Sequence, residues 1–251
     1  MVMLLVTLLT LAVGSFINVV VYRLPRHIAQ AATLTSLLTP SSCCIHCERA
    51  LRWYDMIPVL SWLLLRGRCR DCHSPIGCRY PATEIATLLL SLLLIVLLPA
   101  DSRLITALLL AWALLALSLI DMTHLLLPDA ITLPLLWLGL LLHSADVLPG
   151  TLHDAVTGAA AGYGVMRFTD WCYQLLRNQS GVGQGDAKLL AALGAWLGLT
   201  SLPVLLIMAS GSALIFVTFV RLWRFQQPGR LIPFGPWLSL AGISLFIHSI
   251  I

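Results

Sequence analysis

Charge is what this chain has least of. Only 10% of its 251 residues are Asp, Glu, Lys or Arg, against 59% hydrophobic, and Lys188 is the single lysine. An ordinary soluble domain carries about 25% charged residues, and here the mean hydropathy is +0.93. A soluble fold with a large core is excluded, because lipid has to solvate much of this surface. The net charge of +4 is too small to imply a nucleic-acid partner. Three further absences narrow the field. Residues 1–22 lack a basic leading segment and a small-residue cleavage site, so they read as a retained first helix rather than a signal peptide. No inverted repeat relates the two halves, which weighs against a transporter. No GxGxxG nucleotide fingerprint occurs.

Long apolar windows are what the chain has instead. They lie at about 1–22, 82–99, 103–120, 131–148, 153–176, 203–220 and 231–250, each long enough to cross a bilayer. An eighth, 187–199, reaches only about 20 Å at 1.5 Å per residue, which sets Asp186, just before it, at some depth. The pattern predicts an all-α polytopic membrane protein of about eight transmembrane helices. Of the 15 Lys and Arg residues, eight lie between 23 and 80, and Arg177, Lys188, Arg221, Arg224 and Arg230 fall on the same side of an eight-span arrangement. Arg103 alone opposes them, and Arg167 lies inside a span. The positive-inside rule then makes 23–80 cytoplasmic and the N-terminus external. The expected organisation is a first transmembrane helix (1–22), a cytoplasmic loop domain (23–80) and a transmembrane domain (81–251).

The loop holds four of the seven cysteines as two pairs, Cys44/Cys47 in CIHC and Cys69/Cys72 in CRDC. Paired CxxC knuckles suit a tetrahedral Zn²⁺ site. A disulfide framework fits poorly with a reducing compartment. A loop this short, with few aliphatic residues, gains most from a structural metal. Cys43, His46 and His73 are alternative ligands, and Cys78 and Cys172 are spare.

Three aspartates sit at helix ends that the arginines place on the cytoplasmic side: Asp121, Asp129 and Asp186. A carboxylate near lipid is costly unless paired, solvated or protonated. Two that face each other share a proton and titrate as a unit, the acid/base arrangement of aspartic proteases. Asp129 follows Pro128 and precedes an apolar run, so it serves equally well as an N-cap. Asp121 ends an apolar helix, where the dipole opposes a carboxylate, and that misfit favours function. Asp186 stands at a favourable N-terminus behind Gly181, Gly183 and Gly185, and Lys188 is its partner, an interfacial snorkeler, or neither. Glycines at these positions leave room for an extended substrate backbone.

Seven blocks in order carry a resemblance: GSFINVVVYRLP (14–25), the CxxC pairs, YDMIPVLSWLLLRGRCRDC (54–72), RYPATE (79–84), IDMTHLLLPDAITLPLLWLGLL (120–142), GVGQGDAKLLAALGAWLG (181–198) and IPFGPWLSLAG (232–242). The chain closely resembles the type IV prepilin peptidases, membrane aspartic proteases of the GxGD kind. The resemblance implies that Asp121 and Asp186 are the catalytic pair, with Gly183, Gly185, Lys188, Asp129 and Glu84 supporting. It implies a bacterial inner-membrane enzyme that cuts the basic leader from prepilins or type II secretion pseudopilins at the cytoplasmic face. It further implies methylation of the new N-terminus with S-adenosylmethionine, using the cysteine-bearing loop.

By the same resemblance, Asn18, Arg23 and Glu84 either bind S-adenosylmethionine or substrate, or fix the loop against the helices. Three features depart from the family pattern: Ile45 in place of a proline, the extra Cys43, and Arg167 with Asp170 inside a span, which a salt bridge three residues apart explains. The expected partners are prepilin substrates and membrane lipid. The rival classes are a proton-coupled transporter and a non-catalytic scaffold with a zinc knuckle.

Overall fold

The computed structural model describes residues 2–29, 42–179, 181, 183–224 and 233–250. Arg230, residues 30–41 of the loop and the start of the 231–250 window lie outside the described residues. The helices are α1 (Val2–Ala29), α2 (Leu60–Leu64), α3 (Arg79–Leu97), α4 (Ser102–His124), α5 (Asp129–Ser144), α6 (Leu152–Arg177), α7 (Gln184–Leu197), α8 (Leu202–Arg224) and α9 (Gly235–Ile250), with a 3₁₀ turn at Trp53–Met56. Each apolar window carries a helix over its described residues, and among the described residues α2 is the one added α-helix. Among the described residues the only β pairing is two isolated bridges in the loop, so the fold is all-α as expected. Helices α1, α3, α4 and α8 are long and apolar enough to cross a membrane, while α5 and α9 are shorter apolar helices. The chain divides into two compact units, Met1–Val96 and Leu97–Ile251.

In the first unit, Gly14 brings α1 against α3. A Cβ there would lie 2.8 Å from the Glu84 Cα and 3.1 Å from the Thr87 hydroxyl. The Asn18 amide donates to the Tyr80 carbonyl at 3.0 Å, tying the same two helices. Thr83, Thr87 and Ser91 on α3 donate to the carbonyls four residues back, which satisfies these buried hydroxyls as donors. The loop returns to α3 through a strained turn. Val59 takes φ 60, ψ −50 and Leu60 N donates to Pro58 O at 2.6 Å, which is a γ-turn that a β-branched residue rarely adopts. That turn aims the Val59 N–H at the buried Glu84 carboxylate, 2.7 Å away.

The second unit is built around α7, which packs against α5, α6 and α9. Its residues Ala187, Leu189, Leu190, Ala191, Ala192, Leu193, Gly194, Ala195 and Trp196 are all buried, as expected of a helix that is apolar all round. A helix enclosed by protein need not match the bilayer thickness, which is why fourteen residues suffice. Between membrane helices lipid removes the hydrophobic drive, and close backbone approach takes its place. Two GxxxG motifs supply that approach: Gly158/Gly162 on α6, and Gly194 on α7 with its C-cap Gly198. A Cβ on Gly158 would lie 2.5 Å from the Gly194 carbonyl oxygen, and one on Gly162 2.8 Å from that of Leu190. On the opposite side, Trp196 donates to the Leu135 carbonyl at 2.8 Å and lies where a Cβ on Gly139 would be. The α6 start meets the α7 end through Asp154 and Gly198, so these two helices run antiparallel.

Candidate active site and metal centre

Asp121 lies in the last turn of α4 and is 5% exposed. Leu125 ends the helix in the left-handed region, φ 53, its N–H donating to the Asp121 carbonyl. The carboxylate accepts the Gly235 backbone N–H at 2.8 Å. Gly235 opens α9, so Asp121 sits against the positive end of a second helix. The dipole misfit inferred from α4 alone is therefore compensated by α9, a neighbour that local pattern does not reveal. A Cβ at 235 would come within 2.7 Å of Asp121 Oδ2 and would have to push that carboxylate aside.

Asp186 is the third residue of α7 and is half-buried. Its carboxylate folds back on the N-cap residue, Gly183, and takes its backbone N–H, as the acidic member of a capping box does. Asp121 and Asp186 are close enough to feel each other's charge. Two helix N-termini thus converge on two carboxylates drawn from α4 and α7.

The other expected residues fall as follows. Lys188 does not pair with Asp186: its ammonium grips both oxygens of Asp129, at 2.6 and 2.7 Å. Asp129 is not an N-cap either. Pro128 holds that position, and Asp129 is the first residue of α5 with no capping bond. It still complements the α5 dipole from the first turn. The space beside the three glycines is taken by the protein's own groups rather than left open. A Cβ on Gly185 would meet Leu127 Cβ at 2.8 Å, one on Gly183 the Asp186 carboxylate at 2.9 Å, and one on Gly181 the Tyr173 ring at 2.5 Å. Sequence reasoning missed Gly235 and Leu127, although both stand inside quoted blocks. Glu84 anchors the Val59 turn.

Cys44, Cys47, Cys69 and Cys72 come together, their sulfurs within 4.8 Å of one another. The Cys44–Cys72 pair is 3.8 Å apart, near the edge of about 3.8 Å that a tetrahedron of 2.3 Å Zn–S bonds requires. The knuckles are near copies. Cys44 N donates to Arg49 O and Cys69 N to Ser74 O, and Glu48 and His73, each following a second cysteine, take φ 55 and 56. The backbone N–H groups of Cys47 and His46 push the Cys44 thiol down to about 6, and the Ser74 hydroxyl lowers Cys72. The Arg49 N–H draws Cys47 the same way, but desolvation and the neighbouring sulfurs outweigh it and push that thiol up to about 11. The four sulfurs are thus grouped where backbone N–H groups favour a thiolate, the form that binds a metal ion. Cys43 and Cys78 are exposed, Cys172 is half-buried, and none of the three belongs to the cluster.

These features define a polytopic membrane protein with two aspartates at helix N-termini in its second unit and a four-cysteine centre able to hold a metal ion in its first. Residues 8–98 match the bacterial peptidase A24 N-terminal domain, and residues 108–218 match the type IV leader peptidase family. The chain is 44% identical to the prepilin leader peptidase/N-methyltransferase of Aeromonas hydrophila, over 95% of this chain and 88% of that protein. The proteins of the same name from Burkholderia pseudomallei (strain K96243) and Pseudomonas putida are 44% and 43% identical, over 93% and 95% of this chain and 81% and 88% of theirs. No solved structure matches significantly. The chain belongs to the type IV leader peptidase family and is a multi-pass membrane enzyme.

Proposed function

We propose that this enzyme removes the basic leader of prepilins or pseudopilins with Asp121 and Asp186, and methylates the N-terminus so exposed. The observation that supports the first half is that those two carboxylates, 65 residues apart in sequence, each lie at a helix N-terminus and within electrostatic range of each other. One aspartate, ionised, takes a proton from water while the other, protonated, hydrogen-bonds the scissile carbonyl. Water oxygen adds to the carbonyl carbon, the C–N bond breaks, and the leaving amine receives a proton from the pair. The Gly235 and Gly183 N–H groups hold the carboxylates in place through the cycle, so little reorganisation accompanies the reaction.

The second half rests on the relatives' shared name. S-adenosylmethionine, when bound, would supply the methyl group to the new amine, which would lose a proton as S-adenosylhomocysteine is left. Cys44, Cys47, Cys69 and Cys72 would hold one structural Zn²⁺ that organises the 23–80 domain. The arginine distribution supports an inner-membrane orientation with that domain cytoplasmic and the N-terminus outside. In this reading 1–22 anchors the loop domain and 81–251 is the protease domain. Lys188, Asp129, Gly183, Gly185 and Glu84 support the two sites without reacting.

Purified enzyme in detergent, incubated with a prepilin and S-adenosylmethionine and read by mass spectrometry, tests both halves. The expected product is the mature pilin carrying one added methyl group. Intact prepilin would overturn the peptidase, and an unmethylated mature product would overturn the transferase alone.

A further inference from the structure

We infer that Asp170, on α6, is a positioning residue for peptide cleavage, holding the glycine segment that delivers Asp186; this rests on Asp186 being catalytic. Asp170 is 4% exposed. Its Oδ1 accepts the Gly181 backbone N–H at 3.0 Å. Its Oδ2 accepts the Gln174 amide at 2.8 Å and faces the Arg167 guanidinium at 3.5 Å. Tyr173, one turn along the same face of α6, closes the other side of Gly181: a Cβ there would lie 2.5 Å from its ring. Gly181 is therefore pinned between a carboxylate and an aromatic ring, five residues before Asp186.

Burying a carboxylate in the C-terminal part of a helix costs free energy twice, through desolvation and through the dipole. Within α6 its partners are Gln174 and the 43%-exposed Arg167. Outside α6, this carboxylate reaches the segment leading into α7 through the Gly181 N–H. The same segment is tied at its start, where Asn178 takes φ 52 and its N–H donates to the Gln174 carbonyl at 2.9 Å. Its other end is the Gly183 N-cap, on which the Asp186 carboxylate rests. The tether thus fixes the approach of α7's first turn to Asp121, and loss of it lets Asp186 drift without removing any reacting atom.

The experiment compares wild type, Asp170→Ala, Asp170→Asn and Arg167→Ala for prepilin cleavage and for hydrogen exchange of the peptide spanning 178–186. Asp170→Ala should speed exchange there and lower kcat by about 10- to 100-fold, with KM within about twofold, as a misplacement near 1 Å does. Asp170→Asn keeps the oxygen that Gly181 needs and should return kcat to within a few-fold of wild type. Arg167, 43% exposed, should be dispensable. Wild-type kcat and exchange in Asp170→Ala would overturn the inference, as would a KM effect alone or failure of asparagine to rescue. If Asp170→Ala does not fold, Tyr173→Ala frees the other side of Gly181 and must show the same pattern, or the inference falls. A wild type that does not cleave at all would instead remove the catalytic reading of Asp186, leaving the exchange result to stand by itself.

Discussion

Replacing Gly194 with alanine should slow cleavage without touching a reacting atom. A Cβ at 194 would lie 2.6 Å from the Gly158 carbonyl carbon, where ordinary contact begins at 3.4 Å. The obstacle is backbone, so no rotamer change relieves it and α6 and α7 must separate by about 1 Å, an overpacking that costs roughly 1–3 kcal/mol. Helix α7 carries Asp186 about 12 Å away at 1.5 Å per residue, and it moves as a rigid body. A shift near 1 Å between Asp186 and Asp121 lowers kcat by about 10- to 100-fold. The assay is single-turnover prepilin cleavage beside a thermal unfolding curve in the same detergent. Gly164→Ala is the control: a Cβ there meets nothing within 4 Å, so this variant should gain roughly 1 kcal/mol of helix propensity and keep its activity. Wild-type cleavage together with an unchanged unfolding midpoint in Gly194→Ala would refute the close-packing argument.

Lys188→Ala should cost no more than about 1 kcal/mol and matter less at high salt, because the Lys188 and Asp129 side chains are 31% and 54% exposed; a loss of several kcal/mol would show that the pair does more. Elemental analysis should find one metal ion per chain, abolished by Cys69→Ser, whose sulfur is the buried member of the cluster. The same measurement should be unaffected by Cys43→Ser or Cys78→Ser, and metal loss in either would redraw the ligand set. Gly235→Ala should depress cleavage as strongly as Gly194→Ala, since its Cβ would displace the Asp121 carboxylate directly; normal kcat would mean that Asp121 tolerates another position.

What could be read from sequence divides along physical lines. Helix positions followed from apolar windows because lipid imposes one length and one polarity on every span. The cysteine cluster followed from spacing because each CxxC knuckle is local. The partners of the aspartates were not legible in this way. Asp121 depends on Gly235, 114 residues away, and Lys188 on Asp129, 59 residues away, and no local pattern encodes such pairings. Asp170 illustrates the same limit: its pairing with Arg167 lies one turn apart and was expected, whereas its bond to Gly181 depends on how the chain reverses between α6 and α7. The GxxxG motifs at 158–162 and 194–198 were available in the sequence. They explain how α7, with fourteen residues, comes to be enclosed by its neighbours.

The central claim is that Asp121 and Asp186 form one catalytic unit, and a double-mutant cycle on cleavage tests it most directly. Asp121→Asn, Asp186→Asn and the double variant are each measured on one purified prepilin, with helicity and monodispersity checked. Groups that act as a unit are strongly non-additive, so the double variant should be no slower than the worse single variant. Losses that multiply, or substantial cleavage remaining in either single variant, would contradict the claim.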